Sequence, residues 1–198
     1  MKDWTGNKTS VFNSLGARNC AIGQRESSDY YATDPSAVAA LLNAKQLQGG
    51  IYECACGAGH LSEELLLHGY TVYSTDLIDR GYGISGVDFL SVDCMPDNCR
   101  TILTNPPYKY AVPFIHHAIS LLPADGEAIF LLNITALSGK QRFNDFYSKG
   151  LLKEVYIFKG RIVCAKNGDF ARATTGAVNY AWFVFSNTPS SNPKIFWI

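Results

Sequence analysis

The stretch Glu53-Cys54-Ala55-Cys56-Gly57-Ala58-Gly59-His60 decides the fold of this chain. It joins residues 51–54, a short run that predicts a strand, to residues 60–68, where leucines at helical spacing predict a helix. Two glycines two positions apart allow a tight backbone turn and the close approach of a ligand to the N-terminus of that helix. The stretch therefore predicts a strand–turn–helix unit with a binding site at its turn.

The alternation of strand and helix patterns continues on both sides of this unit. Further strand patterns lie at residues 71–75, 84–88, 100–104, 127–133, 152–158 and 180–185, and further helix patterns at residues 35–43, 111–122 and 139–148. Such alternation predicts an α/β fold with a doubly wound, mostly parallel sheet. We expect seven strands, one of them antiparallel because the last two pair as a hairpin across residues 159–178. Asp34 and Pro35 are typical of the N-cap and first position of the first helix.

Length and composition indicate one domain and exclude several classes of protein. The chain has 198 residues, 47% of them hydrophobic, which is enough to build one core. We predict an N-terminal arm over residues 1–29 and a single domain over residues 30–198. No apolar run is long enough to span a bilayer and the N-terminus does not resemble a secretory signal, so we expect a cytoplasmic protein without a membrane partner. The six cysteines lack the paired CxxC spacing of a zinc site, so we expect no bound metal.

The charge distribution points to two basic segments on an otherwise acidic chain. The formal net charge is zero, which argues against a general nucleic-acid binder with a basic surface. Residues 1–25 and residues 159–172 each contain four basic side chains and one acidic side chain. These segments indicate contact with phosphates, and ordinary solvated charges are the alternative interpretation.

The residues after the glycine turn favour a nucleoside over a dinucleotide. Ser62 stands where a dinucleotide motif has its third glycine, and no Gly-Lys-Ser/Thr sequence of a P-loop follows. Asp76 ends the next predicted strand, where its carboxylate can accept hydrogen bonds from both hydroxyls of a ribose. A plain strand-end carboxylate is the alternative for this residue.

The segment Asn105-Pro106-Pro107-Tyr108 follows another predicted strand. The prolines stop the strand and restrict Asn105 to an extended backbone, so the Asn105 side-chain oxygen and the Pro106 carbonyl can point at one position. Two such acceptors suit a planar –NH2 group, whose lone pair is then freed to attack a methyl sulfonium. Tyr108 offers a flat face on which a ring can stack. The segment therefore predicts catalysis by positioning an amine.

These two segments resemble motifs I and IV of the class I S-adenosylmethionine-dependent amino-methyltransferases. The resemblance implies S-adenosylmethionine as the cofactor and a Rossmann-like fold. It implies that the cofactor is lined by Glu53, Ala55, Gly57, Gly59, Asp76, Leu77 and Asn105. It also implies that Asn105, Pro106, Pro107 and Tyr108 are catalytic.

Further matches resemble the short phage and prophage enzymes that methylate N6 of adenine in DNA. Tyr31-Ala32-Thr33-Asp34-Pro35 is similar to motif X, in which Thr33 takes a place beside the cofactor, although Asp34 departs from the pattern. Gly86-Val87-Asp88-Phe89-Leu90 is similar to motif III, in which Asp88 and Phe89 contact the cofactor's adenine. The motif order X, I, IV is that of the gamma arrangement, and the likeness covers residues 30–186. It implies a flipped adenine, restriction–modification chemistry and a bacterial or phage source.

Larger members of that family carry a separate target-recognition domain, and we expect none here, because the residues after Tyr108 are only enough to finish the sheet. We therefore expect double-stranded DNA to be contacted by Lys109 and by the 159–178 loop through Arg161, Lys166, Phe170 and Arg172, with Phe170 as a candidate wedge. We expect a monomer or homodimer, and a partner protein is a candidate for supplying recognition. The same motif IV also occurs in enzymes that methylate RNA bases or protein glutamine. A non-catalytic protein that binds cofactor or DNA to counter restriction is a further alternative.

Overall fold

The computed structural model describes residues 31–166, 170 and 178–198. Its strands are β1 (Tyr31–Thr33), β2 (Gly50–Glu53), β3 (Val72–Asp76), β4 (Ile84–Ser85), β5 (Cys99–Thr104), β6 (Glu127–Asn133), β7 (Leu152–Ile157), β8 (Cys164–Lys166), β9 (Tyr180–Phe185) and β10 (Lys194–Trp197). Its helices are α1 (Ser36–Ala44), α2 (His60–Leu67), α3 (Ala111–Leu121) and α4 (Lys140–Arg142), and a π-helical turn over Phe143–Tyr147 continues α4. The predicted arm at residues 1–29 and Arg172 lie outside the described residues.

The main sheet has the strand order β10-β7-β9-β6-β5-β2-β3-β4. Within this described sheet β9 alone runs antiparallel to its neighbours, β6 and β7, and the remaining pairs are parallel. This confirms the predicted α/β fold, the mostly parallel sheet and the antiparallel pairing of the two closing strands. The sheet has one strand more than the seven predicted. That strand, β10, consists of four exposed residues, so its sequence has no buried alternation to indicate a strand.

A separate two-stranded ribbon forms where β1 pairs antiparallel with β8. Thr33 lies opposite Cys164, and Ala32 lies opposite Ala165. The backbone N–H of Asp34 extends the ribbon by donating to the Val163 carbonyl at 3.0 Å. The ribbon was not predicted, because each of its strands has only three residues. It connects the start of the described chain to the 159–178 loop.

Two hydrophobic layers cover the two faces of the main sheet. One layer joins α1 and α2 to the sheet, and its members include Val38, Leu65 and Leu103. The other joins α3 to the opposite face, and its members include Phe114 and Ile102. Adjacent residues of β5 thus point to opposite layers, as expected of a strand buried on both faces. The polar residues that end the parallel strands are left at one edge of the sheet.

The start of α1 is built as the sequence predicts. Asp34 Oδ1 accepts a hydrogen bond from the backbone N–H of Ser36 at 2.9 Å, which satisfies one of the free donors at a helix start. Pro35 has right-handed helical dihedrals, with φ −52° and ψ −30°. None of the helices in the described part of the chain is long and apolar enough to cross a membrane.

Candidate active site

A cavity of about 680 Å³ opens at the carboxyl edge of the parallel strands. Its wall contains most of the residues predicted for cofactor and substrate. These are Thr33, Glu53, Ala55, Asp76, Leu77, Asp88, Phe89, Asn105, Pro106, Pro107, Tyr108 and Lys109. Sequence reasoning missed other wall residues, among them Tyr31, Arg80 and Val87. A volume of this size is typical of pockets that bind small molecules or cofactors.

The glycine turn lies beside the cavity: Cys56 and His60 on either side of it belong to the wall, whereas the predicted cofactor residues Gly57 and Gly59 do not. Gly57 and Gly59 have φ of +57° and +87°, in the left-handed region that favours glycine. A side chain on Gly59 would also overlap the ring of Tyr82. The turn therefore requires glycine for both its dihedrals and its packing.

Asp76 ties the glycine turn to the next strand. Its Oδ2 accepts a hydrogen bond from the Gly57 N–H at 2.8 Å, and its Oδ1 accepts one from the Ile78 N–H at 2.8 Å. Each carboxylate oxygen keeps a further lone pair, and the residue lies in the cavity wall. The hydrogen bonds that Asp76 would accept from ribose hydroxyls stay a prediction. The backbone contacts give this carboxylate a fixed orientation.

Glu53 is the most deeply buried acid of the site, with 1% of its surface exposed. Burial raises the pKa of its carboxyl to about 8, and hydrogen bonds from Ser62 oppose this rise. The Ser62 hydroxyl donates to Glu53 Oε2 and is also 2.6 Å from the Ser74 hydroxyl. Ser62 thus occupies the third-glycine position of a dinucleotide motif and anchors Glu53 there. From the sequence alone, Ser62 was noted only because it replaces the third glycine of a dinucleotide motif, and its contact with Glu53 was not predicted.

Asn105 lies in the cavity wall, and one end of its side-chain amide is held by two hydrogen bonds. Its side-chain nitrogen Nδ2 donates to the Tyr31 carbonyl at 3.1 Å and to the Thr33 hydroxyl at 2.9 Å. Its side-chain oxygen Oδ1 is buried and has no hydrogen-bond partner among the described residues. A buried acceptor without a partner is unfavourable, so this atom is ready to receive a hydrogen bond from a ligand in the cavity.

Tyr108 lies beyond Pro106 and Pro107, at the start of a 3-10 turn over Tyr108–Tyr110. Its ring is 6.0 Å from that of Tyr180, centroid to centroid, with 21° between the planes. Burial raises the pKa of the Tyr108 hydroxyl well above its usual value. Tyr108 is therefore a neutral aromatic wall of the cavity, and its stacking on a substrate ring stays a prediction.

The segment predicted to contact the cofactor's adenine, residues 86–90, contributes to the cavity wall and to the hydrophobic core. Asp88 Oδ1 accepts a hydrogen bond from the Leu90 N–H at 3.0 Å, which caps the 3-10 turn over Phe89–Ser91. The buried Phe89 ring packs 5.0 Å from that of Phe114 and 5.9 Å from that of Tyr52. Phe89 thus belongs to the core and also lines the cavity.

The residues predicted to bind DNA differ in their distance from this cavity. Lys109 lies in its wall, with its ammonium 5.3 Å from the Tyr110 ring centroid. The Phe170 ring packs edge-on against the wall residue His60, at 5.3 Å between centroids. Arg161 is exposed beyond the end of β7, and the backbone of Lys166 pairs with Tyr31 in the ribbon. The predicted roles of all four residues in DNA binding remain untested by this geometry.

Metal-binding side chains are not grouped in the described part of the chain. No three His, Cys, Asp or Glu side chains there come together in an arrangement suited to a metal ion. The acidic wall residues Glu53, Asp76 and Asp88 instead bond to Ser62 or to backbone N–H groups.

Comparisons with known proteins identify the fold. Neither protein-family models nor curated proteins give a match. A structure from Listeria monocytogenes, assigned as a class I S-adenosylmethionine-dependent methyltransferase, matches with TM-score 0.55 and 12% identity over 83% of this chain. The chain has the class I methyltransferase fold. This agrees with the fold predicted from the glycine turn, and the matched part spans 64% of the Listeria chain.

Two further structures share this methyltransferase fold. A protein from Pyrococcus horikoshii assigned as an RNA methyltransferase matches with TM-score 0.54 and 14% identity, over 77% of this chain and 82% of that one. A dimethyladenosine transferase from Plasmodium falciparum matches with TM-score 0.51 and 19% identity, over 78% of this chain and 62% of that one. At these identities the likeness extends to the fold alone.

Proposed function

We propose that this chain transfers the methyl group of S-adenosylmethionine to the exocyclic amine of adenine in DNA. The observation that carries the proposal is the buried, unpartnered Oδ1 of Asn105 in the cavity wall. A hydrogen-bond acceptor at that place suits an amine donor. The class I methyltransferase fold supports the choice of cofactor.

The cavity fits the cofactor in size, shape and charge. Its volume of about 680 Å³ accommodates a nucleoside with an amino-acid side arm. The Gly57–Gly59 turn beside the cavity leaves room for close approach, and the carboxylates of Asp76 and Asp88 in the wall complement a ligand that carries a sulfonium and an ammonium. We propose that Asp76 binds the ribose, that Asp88 and Phe89 hold the adenine, and that Glu53 lies at the ammonium end. The cofactor supplies an electrophilic methyl group on sulfur.

The part played by the chain's own residues is to orient the amine. Asn105 Oδ1 accepts one hydrogen from the substrate –NH2, which fixes the direction of the nitrogen lone pair. The Pro106 carbonyl is the second acceptor predicted from the sequence. The ring of Tyr108 gives a flat apolar wall against which a base can stack and from which water is excluded. No general base is required when the proton departs after the new N–C bond has formed.

Two features favour DNA as the carrier of that adenine. The motif order and the segments at 31–35 and 86–90 resemble the short phage enzymes that act on DNA adenine. Lys109 in the cavity wall and Arg161 beyond β7 are cations on the carboxyl edge, where a nucleic-acid backbone would pass. A base flipped out of the duplex would reach the cavity from that edge. Recognition of a longer site would require a partner protein or a second copy of the chain.

The proposal is tested by the choice of methyl acceptor. The protein is incubated with radiolabelled S-adenosylmethionine and, separately, with DNA, RNA and a protein mixture, beside an Asn105→Ala variant. We expect label in DNA with the wild type and a loss of roughly 100-fold or more with Asn105→Ala. Binding of S-adenosylhomocysteine to the variant, measured by calorimetry, serves as the control for an intact cofactor site. Label in RNA or protein but not in DNA would refute the DNA assignment, and equal labelling by the variant would refute the role of Asn105.

A further inference from the structure

We infer that Thr33 is a positioning residue that sets the orientation of the Asn105 side-chain amide, so that the nitrogen is bound to β1 and the oxygen is left without a partner among the described residues at the cavity wall. The inference deepens the proposed function, because its kinetic part assumes methyl transfer to an amine. Its structural part depends only on the contacts of Asn105. The role differs from the one predicted from the sequence, in which Thr33 contacts the cofactor.

The orientation matters because the two ends of the amide are alike in shape and opposite in hydrogen bonding. The –NH2 end carries two donors, and the oxygen end carries two acceptor lone pairs. An amide turned by 180° would present donors to the cavity and would repel an incoming amine. The site therefore requires protein groups that bind the nitrogen end of the Asn105 amide in preference to its oxygen end.

Two acceptors on β1 make that distinction. The Tyr31 carbonyl, 3.1 Å from Asn105 Nδ2, can only accept a hydrogen bond. The Thr33 hydroxyl, 2.9 Å from Nδ2, can either accept or donate. A reversed amide would place its oxygen against the Tyr31 carbonyl oxygen, which is unfavourable. The Tyr31 carbonyl therefore favours the observed orientation, and an accepting Thr33 hydroxyl strengthens that preference.

The geometry at Asn105 Nδ2 shows why Thr33 accepts. The Tyr31 carbonyl holds the nitrogen end of the amide on the β1 side, and this nitrogen can only donate. The Thr33 oxygen, 2.9 Å from the same nitrogen, is therefore the acceptor of its second proton.

The ribbon keeps these groups in register. Thr33 lies opposite Cys164 in the β1–β8 pairing, and the residue is 2% exposed, with its hydroxyl against Asn105. Because Thr33 and Asn105 are 72 residues apart in sequence, only the folded ribbon brings them together. Positioning by a rigid element is the arrangement expected where a reacting group must be held accurately.

The kinetic test compares Thr33→Val, which keeps the branched shape but removes the acceptor, with Thr33→Ser, which keeps the hydroxyl. At saturating cofactor we expect Thr33→Val to lower kcat roughly 10- to 100-fold and Thr33→Ser to retain kcat within a few-fold. The Kd of S-adenosylhomocysteine should stay within about 2-fold of the wild type in both. A weakened Kd with unchanged kcat would make Thr33 a cofactor ligand and would overturn the inference.

The structural test does not depend on catalysis. In ¹⁵N-labelled protein the side-chain amide signals of Asn105 are identified by their absence from Asn105→Ala, and their exchange with water is measured. We expect both protons to exchange at least about 10-fold more slowly than those of the exposed Asn144 in the wild type and in Thr33→Ser, since hydrogen bonding protects them. In Thr33→Val at least one should exchange at the Asn144 rate.

Full protection of both amide protons in Thr33→Val would overturn the inference. If the wild type methylates none of the acceptors, the proposed function fails, and the exchange measurement still decides whether Thr33 positions Asn105. An unchanged backbone spectrum away from the site shows that the variants are folded.

Discussion

Replacing Glu53 by glutamine should remove a specific dependence of stability on pH. The Glu53 carboxyl is buried, and burial raises its pKa from 4.5 to about 8 in the folded protein. The folded state therefore binds this proton more tightly than the unfolded state does. The resulting stabilisation is complete below about pH 4.5 and is lost as the pH rises to about 8. Glutamine does not titrate, so the stability of Glu53→Gln should not show this decrease with rising pH.

The magnitude follows from the two pKa values. Between 4.5 and 8 each pH unit removes about 1.4 kcal/mol from the free energy of unfolding of the wild type. From pH 5 to pH 7 the wild type should therefore lose about 2.5 kcal/mol relative to Glu53→Gln. In a chain of this length that difference corresponds to roughly 5–10 °C in the midpoint of thermal unfolding.

The assay is urea unfolding of the ligand-free protein at pH 5, 6 and 7. Glu63→Gln is the matched control, because Glu63 is an exposed carboxyl in α2, the helix that follows Glu53 after the glycine turn. We expect its difference from the wild type to stay constant across the three pH values, whereas the difference for Glu53→Gln grows. A difference for Glu53→Gln that does not change with pH would refute the conclusion that Glu53 is protonated by burial.

Three further perturbations test the turn, the ribose contact and the loop. Gly59→Ala should destabilise the protein by roughly 1–3 kcal/mol more than Gly69→Ala. Both glycines have positive φ, but only a side chain at Gly59 would overlap an aromatic ring. Equal losses of stability in urea unfolding would contradict this. Asp76→Asn should weaken binding of S-adenosylhomocysteine roughly 10- to 100-fold by calorimetry, because a hydrogen-bonded charge is lost, and an unchanged Kd would remove Asp76 from the site. Arg161→Gln should reduce the slope of log K against log salt for DNA binding by about 0.9, whereas Lys149→Gln, at the opposite end of β7, should leave it unchanged. Equal slopes in the two variants would exclude Arg161 from the interface.

The central elements of the fold could be predicted because they carry strong local signals. The strands at 127–133 and 180–185 agree with the prediction to the residue, since each is a long apolar run beside clear turn residues. The glycine turn and the Pro106–Pro107 break mark strand ends, and parallel strands bring such ends to one edge of the sheet. The position of the cavity therefore followed from the order of strands and turns.

The parts that were missed depend on pairings distant in sequence. The strands β1 and β8 have three residues each, which is too few to show a periodicity, and they form only because they pair with each other. The sequence predicted the Asn105 side-chain oxygen as an acceptor, but it could not show that the β1–β8 ribbon binds the nitrogen end of the same amide. The burial of Glu53 could not be predicted from the sequence for a similar reason. Its hydrogen-bond partner Ser62 comes close to it only when α2 packs on the sheet.

The account rests on the claim that Asn105 presents an acceptor to the amine of adenine. The most direct measurement is mass spectrometry of nucleosides from unmethylated DNA that has been incubated with the protein and S-adenosylmethionine. The account predicts N6-methyladenine with the wild type and at least about 100-fold less with Asn105→Ala at equal cofactor occupancy. The absence of N6-methyladenine with folded, cofactor-bound wild type, or an equal yield from the variant, would contradict it.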